Sequence, residues 1–240
     1  MIRQDAMQAN LEGVHDRIAQ AARRAGRNPD EIKLVLVSKG HPSDLIEELV
    51  ELGVTRLGES YVDEALPKQA ALSTFPNLEW HMIGHVQSRK AADVAAHFDW
   101  MHSLGRLKVA QRLDAAAEAA GKRLPVLLQV NVSGEGSKYG LPLPDAAAWQ
   151  AWRDELEAIL QLPHIEMRGL MSMAPYVDQP SEARPYFERT RQLGELLAQA
   201  YPAHRWDELS IGMSNDFEAA VLEGATLLRI GSAILGPRPD

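Results

Sequence analysis

Eight short apolar runs, separated by longer amphipathic ones, constrain this chain more than any other feature of its sequence. The runs lie at 33–38 (KLVLVS), 55–58 (TRLG), 80–83 (WHMI), 100–103 (WMHS), 125–131 (PVLLQVN), 166–170 (EMRGL), 208–211 (ELSI) and 226–230 (TLLRI). The segments between them, at about 43–52, 60–72, 87–97, 105–120, 143–161, 182–200 and 214–224, are rich in Ala, Leu and Glu at helical spacing. Ser43, Ser60, Ser88, Ser181 and Ser214 stand where N-caps are expected. A helix between every two successive strands forces parallel pairing through crossovers. The sequence therefore predicts an α/β fold, a (β/α)₈ TIM barrel forming one domain over 1–240, with an extra N-terminal helix at 3–25 that stops at AGRNPD. An open doubly wound sheet is the alternative, because strand count alone does not decide closure.

The chain carries a net charge of −8, so binding to nucleic acid or an anionic membrane is not expected, and an anionic ligand must be captured by local geometry. It has no cysteine, which excludes disulfides, thiolate nucleophiles and zinc–thiolate sites. The opening MIRQDAMQANLEGVHDRI shows no signal peptide, and nothing approaches an apolar membrane span, so a soluble cytoplasmic protein is expected. The histidines show no HxH or HExxH spacing and predict no metal site. Residues 131–142 (NVSGEGSKYGLP) are glycine-rich but lack both nucleotide-loop spacings; they suit a lid or a contact surface.

In a barrel the active site lies at the C-terminal strand ends. The first strand ends in Lys39, either snorkelling to solvent, paired with a carboxylate such as Glu59, or held for a nucleophilic amine. Lys90 and Lys138 fall near other loops and are reserve amines, whereas Lys68, Lys108 and Lys122 read as solvated helix residues. SIGMSND after the seventh strand and RIGSAILG after the eighth each place a glycine and a hydroxyl at a strand end. Free N–H groups there suit phosphate, and the loops after strands seven and eight are a recurring phosphate site in barrels. Gly212 and Gly231 are ordinary turn glycines on the plainer reading. Arg229 is either a packed arginine paired with a barrel carboxylate or a cation beside a ligand's ring, and His81 either a hydrogen-bonded core residue or a partner for a flat ligand.

Amine, phosphate cradle and arginine together suggest pyridoxal 5′-phosphate. The ordered motifs LVLVSK, LGESYVDEA, WHMIGHVQSRK, LLQVNVSGEGSKYGL, RGLMSMAP and LSIGMSNDFEAAVLEGATLLRIGSAILG resemble the pyridoxal phosphate homeostasis proteins, whose barrel is similar to the N-terminal domain of alanine racemase. The resemblance runs over about residues 5–237. It implies a Schiff base on Lys39, phosphate contacts from Ser214, Gly231 and Ser232 with a backbone N–H of Met213, Arg229 toward the pyridine nitrogen, and Ser60 beside the ring; on its flat-ligand reading His81 joins this cofactor-binding set. It further implies a monomer that buffers the cofactor or delivers it to apoenzymes rather than a catalyst. In this chain Gly40 and His41 replace the family's usual threonine and second lysine, and Ser60 and Arg89 each replace an asparagine. The chain ends at Asp240 without the second domain that brings a catalytic tyrosine in the racemases, which favours carriage. The alternatives are a racemase-like amino-acid enzyme with Lys39 as base, and a Schiff-base or sugar-phosphate barrel enzyme without the cofactor.

Overall fold

The computed structural model describes residues 2–134, 139–142 and 149–237. Eight parallel strands close on themselves: β1 (Lys33–Val37), β2 (Arg56–Glu59), β3 (Glu79–Met82), β4 (Trp100–Leu104), β5 (Leu124–Asn131), β7 (Ile165–Met171), β8 (Glu208–Ser210) and β9 (Leu227–Ile230). The two-residue strand β6 (Leu141–Pro142) pairs only onto the end of β5. Closure runs through β1–β9 (Val35 opposite Arg229) and β4–β5, where the register shifts between Met101 and Leu104. The expected barrel is therefore present and the open sheet is not.

Alternation along the strands separates two apolar environments. Val35, Leu127, Met171 and Leu227 point inward and form a small cluster within the barrel. Leu36, Leu57, Met82, Met101, Leu128 and Leu228 point outward into the larger cluster beneath the helices. A strand buried on both faces reads as a continuous apolar run, as KLVLV does. The helices are α1 (Ile2–Arg24), α2 (Ser43–Glu51), α3 (Val62–Ala71), α4 (Ala91–His97), α5 (Leu107–Ala119), α6 (Trp149–Leu160), α7 (Arg184–Ala200), α8 (Phe217–Leu222) and α9 (Ser232–Leu235). On α1, Met7, Leu11, Val14, Ile18, Ala21 and Ala22 are buried at three- to four-residue spacing, which lays this extra helix along α8 and α9.

The expected caps are displaced. Pro42 precedes α2 and Tyr61 precedes α3, neither with a side-chain cap bond, and Ser43 is the first residue inside α2. The segment at 214–224 narrows to α8 with Asp216 at its N-cap, so Ser214 opens no helix. Loop residues before α8 are held instead by the chemistry at the barrel mouth. Short 3-10 turns, Ser88–Lys90 and Pro180–Ala183, precede α4 and α7, and α9 was not expected from periodicity, being one turn long.

Candidate functional site

A cavity of about 370 Å³ opens at the C-terminal strand ends. Its lining brings together Lys39, Ser60, Met213, Ser214, Arg229, Gly231 and Ser232, with His41 and the segment Met173–Val177 forming walls that the sequence did not suggest.

Lys39 reaches this cavity from a tight turn. His41 N–H donates to Ser38 O at 3.1 Å, and Gly40 takes φ 76°, the left-handed value that the third position of a type II turn requires. Glycine at this position removes the penalty a Cβ would bring. Around the turn lies a buried ion cluster. Lys68, 6% exposed rather than solvated, donates from Nζ to Ser38 O at 2.8 Å and to Glu59 Oε1 and Glu64 Oε1, each at 2.7 Å. Ser38 Oγ also donates to Glu59 Oε1 (2.7 Å), and Gly40 N–H donates to Glu64 Oε1. Burial raises the Glu59 carboxyl above its ordinary range, and the Lys68 and Ser38 contacts pull it partly back.

Arg229 enters from β9 and is 4% exposed. Its guanidinium donates to Ser210 O and Oγ, both at 2.6 Å, and to Ser172 O at 2.9 Å. Its partners here are carbonyls and a hydroxyl, not the barrel carboxylate that packing alone suggested. Burial lowers its pKa to about 10, with Asp216 opposing, so it stays charged near neutrality. Below it a polar chain descends the barrel: Ser210 Oγ is 2.9 Å from His102 Nδ1, and His102 Nε2 is 2.9 Å from His81 Nδ1. His81 Nε2 stands a long 3.5 Å from Glu79 Oε2. Arg229 can only donate, so Ser210 Oγ accepts from it, while the sense of the Ser210–His102 and His102–His81 bonds is set by the histidine tautomers.

That chain corrects the expectation for His81. It is 1% exposed, stacked on Trp100 and bonded to His102, beneath the cavity rather than on it. Burial holds its imidazole below the ordinary range, with Glu79 opposing; burial and then the charges of His81 and Arg229 hold His102 well below. An unfolded histidine titrates near pH 6.5, so below that pH the unfolded chain binds protons that the folded chain refuses, and stability is lost as the pH is lowered. The stability gap between wild type and His102→Gln should therefore narrow by up to about 1.4 kcal/mol per pH unit below about pH 6. Urea unfolding at pH 7.5 and 5.5 measures it; a gap independent of pH would mean that His102 titrates normally.

Also at the cavity, Ser214 Oγ accepts from Gly231 N–H (3.3 Å) and Ala233 N–H (3.2 Å), at the start of α9. These donors face an oxygen acceptor, as a phosphate oxygen would require. A Cβ on Gly231 would stand 2.9 Å from Val37 O, so only glycine lets β9 approach β1 here. Met213 N–H, expected to be available to a ligand, donates instead to Asp216 Oδ1 at 2.6 Å. Asp216 is 5% exposed, and burial raises its carboxyl above the ordinary range. Gly212 has φ 88°, and a Cβ there would come within 2.6 Å of Ala220 Cβ, so its turn geometry is obligatory.

Of the reserve amines, Lys90 is bound to Asp63 at 2.6 Å, which raises its pKa, and Lys138 lies outside the described residues. Arg89 donates to Gln87 and does not line the cavity. Among the described residues no cluster of His, Cys, Asp and Glu could hold a metal ion, and no helix is long and apolar enough to cross a membrane.

Comparison with known proteins places this geometry among relatives. The family described as alanine racemase, N-terminal domain, matches residues 2–239. The chain is 43% identical over 229 residues to the pyridoxal phosphate homeostasis protein of Pseudomonas aeruginosa, covering 95% of this chain and 94% of that one. With the protein of the same name from Escherichia coli K12 it shares 42% over 236 residues, 95% of each chain. The structure of PipY from Synechococcus elongatus with PLP bound superposes with a TM-score of 0.78 at 37% identity, covering 91% of this chain and all (100%) of that one.

Proposed function

Because the chain belongs to the alanine racemase N-terminal domain family, and within it to the pyridoxal phosphate homeostasis proteins, we propose that it binds pyridoxal 5′-phosphate and takes part in the cell's PLP homeostasis. One observation carries the reading: an amine (Lys39), the Ser214 hydroxyl with the Gly231 N–H that it accepts from, and a buried cation (Arg229) line a single cavity. The residues present suit this ligand. Lys39 would hold the cofactor through its amine, the group that condenses with an aldehyde with loss of one water. Ser214, Gly231 and Ser232 would take the phosphate, Arg229 the ring nitrogen, and Ser60 an edge of the ring. Met213 contributes to the wall rather than an N–H. A charged guanidinium beside the pyridine nitrogen keeps it unprotonated and the ring a weak electron sink, which supports holding the cofactor over using it.

The protein is then a carrier: one barrel domain over 1–240, monomeric and cytoplasmic, buffering the cofactor or handing it to PLP-dependent apoenzymes rather than catalysing a reaction. Sustained racemisation of alanine or serine by purified protein would favour the enzymatic alternative. Titration with PLP and with pyridoxal, followed by visible absorption, tests the reading. Losing charge-assisted hydrogen bonds worth about 1.5–3 kcal/mol should weaken pyridoxal about 10- to 100-fold relative to PLP. Equal affinity would remove the phosphate from the loops after β8 and β9, and no visible band with PLP would defeat the cofactor assignment.

A further inference from the structure

We infer that Lys68 is a positioning residue for Lys39: its ammonium, held between Glu59 and Glu64, fixes the backbone on both sides of Lys39 and aims the amine into the cavity. The inference rests on the cofactor reading above. It begins from an apparent waste. The buried Lys68–Glu59 pair carries a desolvation cost of several kcal/mol per ion, and such pairs are often no more stabilising than apolar side chains of similar volume. What the cluster supplies is geometry. An ammonium has three donors, and all three of Lys68 are spent, on Ser38 O, Glu59 Oε1 and Glu64 Oε1. Each carboxylate passes the constraint to the turn: Glu59 accepts the Ser38 hydroxyl, and Glu64 accepts the Gly40 N–H. The residue before Lys39 is thus held by its carbonyl and its hydroxyl, and the residue after it by its amide. The carbonyl that Lys68 grips also closes the turn, accepting from His41 N–H.

The test compares wild type, Lys68→Met, Glu64→Ala and Glu64→Gln in the full chain with PLP. Three quantities are followed: the rate at which the visible band forms, circular dichroism in that band per bound cofactor, and thermal stability. Lys68→Met strands Glu59 and can cost the fold. Glu64→Ala keeps the Lys68–Glu59 pair and releases only the Gly40 side, so it decides the matter if Lys68→Met does not fold. Expected is a band forming on the order of tenfold to a hundredfold more slowly in both variants, with dichroism per bound cofactor at least halved. Glu64→Gln, whose amide oxygen still accepts from Gly40, should recover most of both. A merely structural cluster would lower stability and leave rate and dichroism per bound cofactor unchanged; that result overturns the inference alone. Absence of any band in wild type overturns the cofactor reading and this inference with it.

Discussion

Lys39→Ala should abolish the visible band of protein-linked pyridoxal phosphate while leaving the cofactor able to bind without a covalent link. The Gly231 and Ala233 N–H groups proposed for the phosphate and the Arg229 guanidinium lie on β9 and at the start of α9, beside the strand that leads to Lys39, and are held by Ser214, Ser210 and Ser172. Lys39 is half-buried in a turn whose backbone is held by Ser38 and Gly40, so its truncation should cost the fold less than about 1 kcal/mol. Lys90 is a poor substitute, because Asp63 holds its proton. Absorption spectra before and after borohydride reduction, with mass analysis of the reduced protein, give the answer. A band of full amplitude in the variant would move the attachment to another lysine and remove the main role assigned to Lys39.

Arg229→Met should produce the second large effect. Its guanidinium puts a fixed positive charge at the cavity, and its hydrogen bonds are to Ser210 and Ser172. On the proposed binding mode, removing it should take a charge-assisted hydrogen bond from the ring nitrogen, worth about 1.5–3 kcal/mol, or about 10- to 100-fold in affinity. Three protein acceptors lose their donor at the same time, so a stability loss of about 1–3 kcal/mol is expected as well. Binding and folding are separated by a cofactor analogue in which a C–H replaces the ring nitrogen. Wild type should prefer PLP to this analogue, and Arg229→Met should bind the two alike. A variant that still discriminates would show that the nitrogen is recognised elsewhere, and the polar chain through His102 would then be a core feature without a part in binding.

The barrel was legible because its evidence is local. Each strand buried on both faces reads as a continuous apolar run, and each helix shows its own period; Lys39, Ser214, Gly231 and Ser232 followed from the rule that barrels work at their C-terminal strand ends. Helix starts were less legible. A serine near a boundary suits a cap by residue type, but Ser214 is drawn instead to the N–H groups of Gly231 and Ala233 on another element. Met213 shows the same limit: its N–H is consumed by Asp216, three residues on, whose carboxylate turns back only because the loop is curled beneath the cavity.

What the sequence determined by itself is the eight barrel strands with the longer helices between them, their parallel order and the residues that stand at strand ends, since periods of two and 3.6 residues and the cost of a misplaced glycine or proline act within a few residues. The tertiary structure decided which of those residues meet. Closure of β4 onto β5 sets His102 against Ser210 of β8, 108 positions away, and turns His81 from a ligand-facing residue into the lower part of Arg229's support. The packing of α3 beneath the first turn buries Lys68, which in sequence is one more helix lysine, against Glu59 and Ser38. Such contacts depend on pairs of residues far apart along the chain, and their energies exist only once the barrel has excluded water from the space between them.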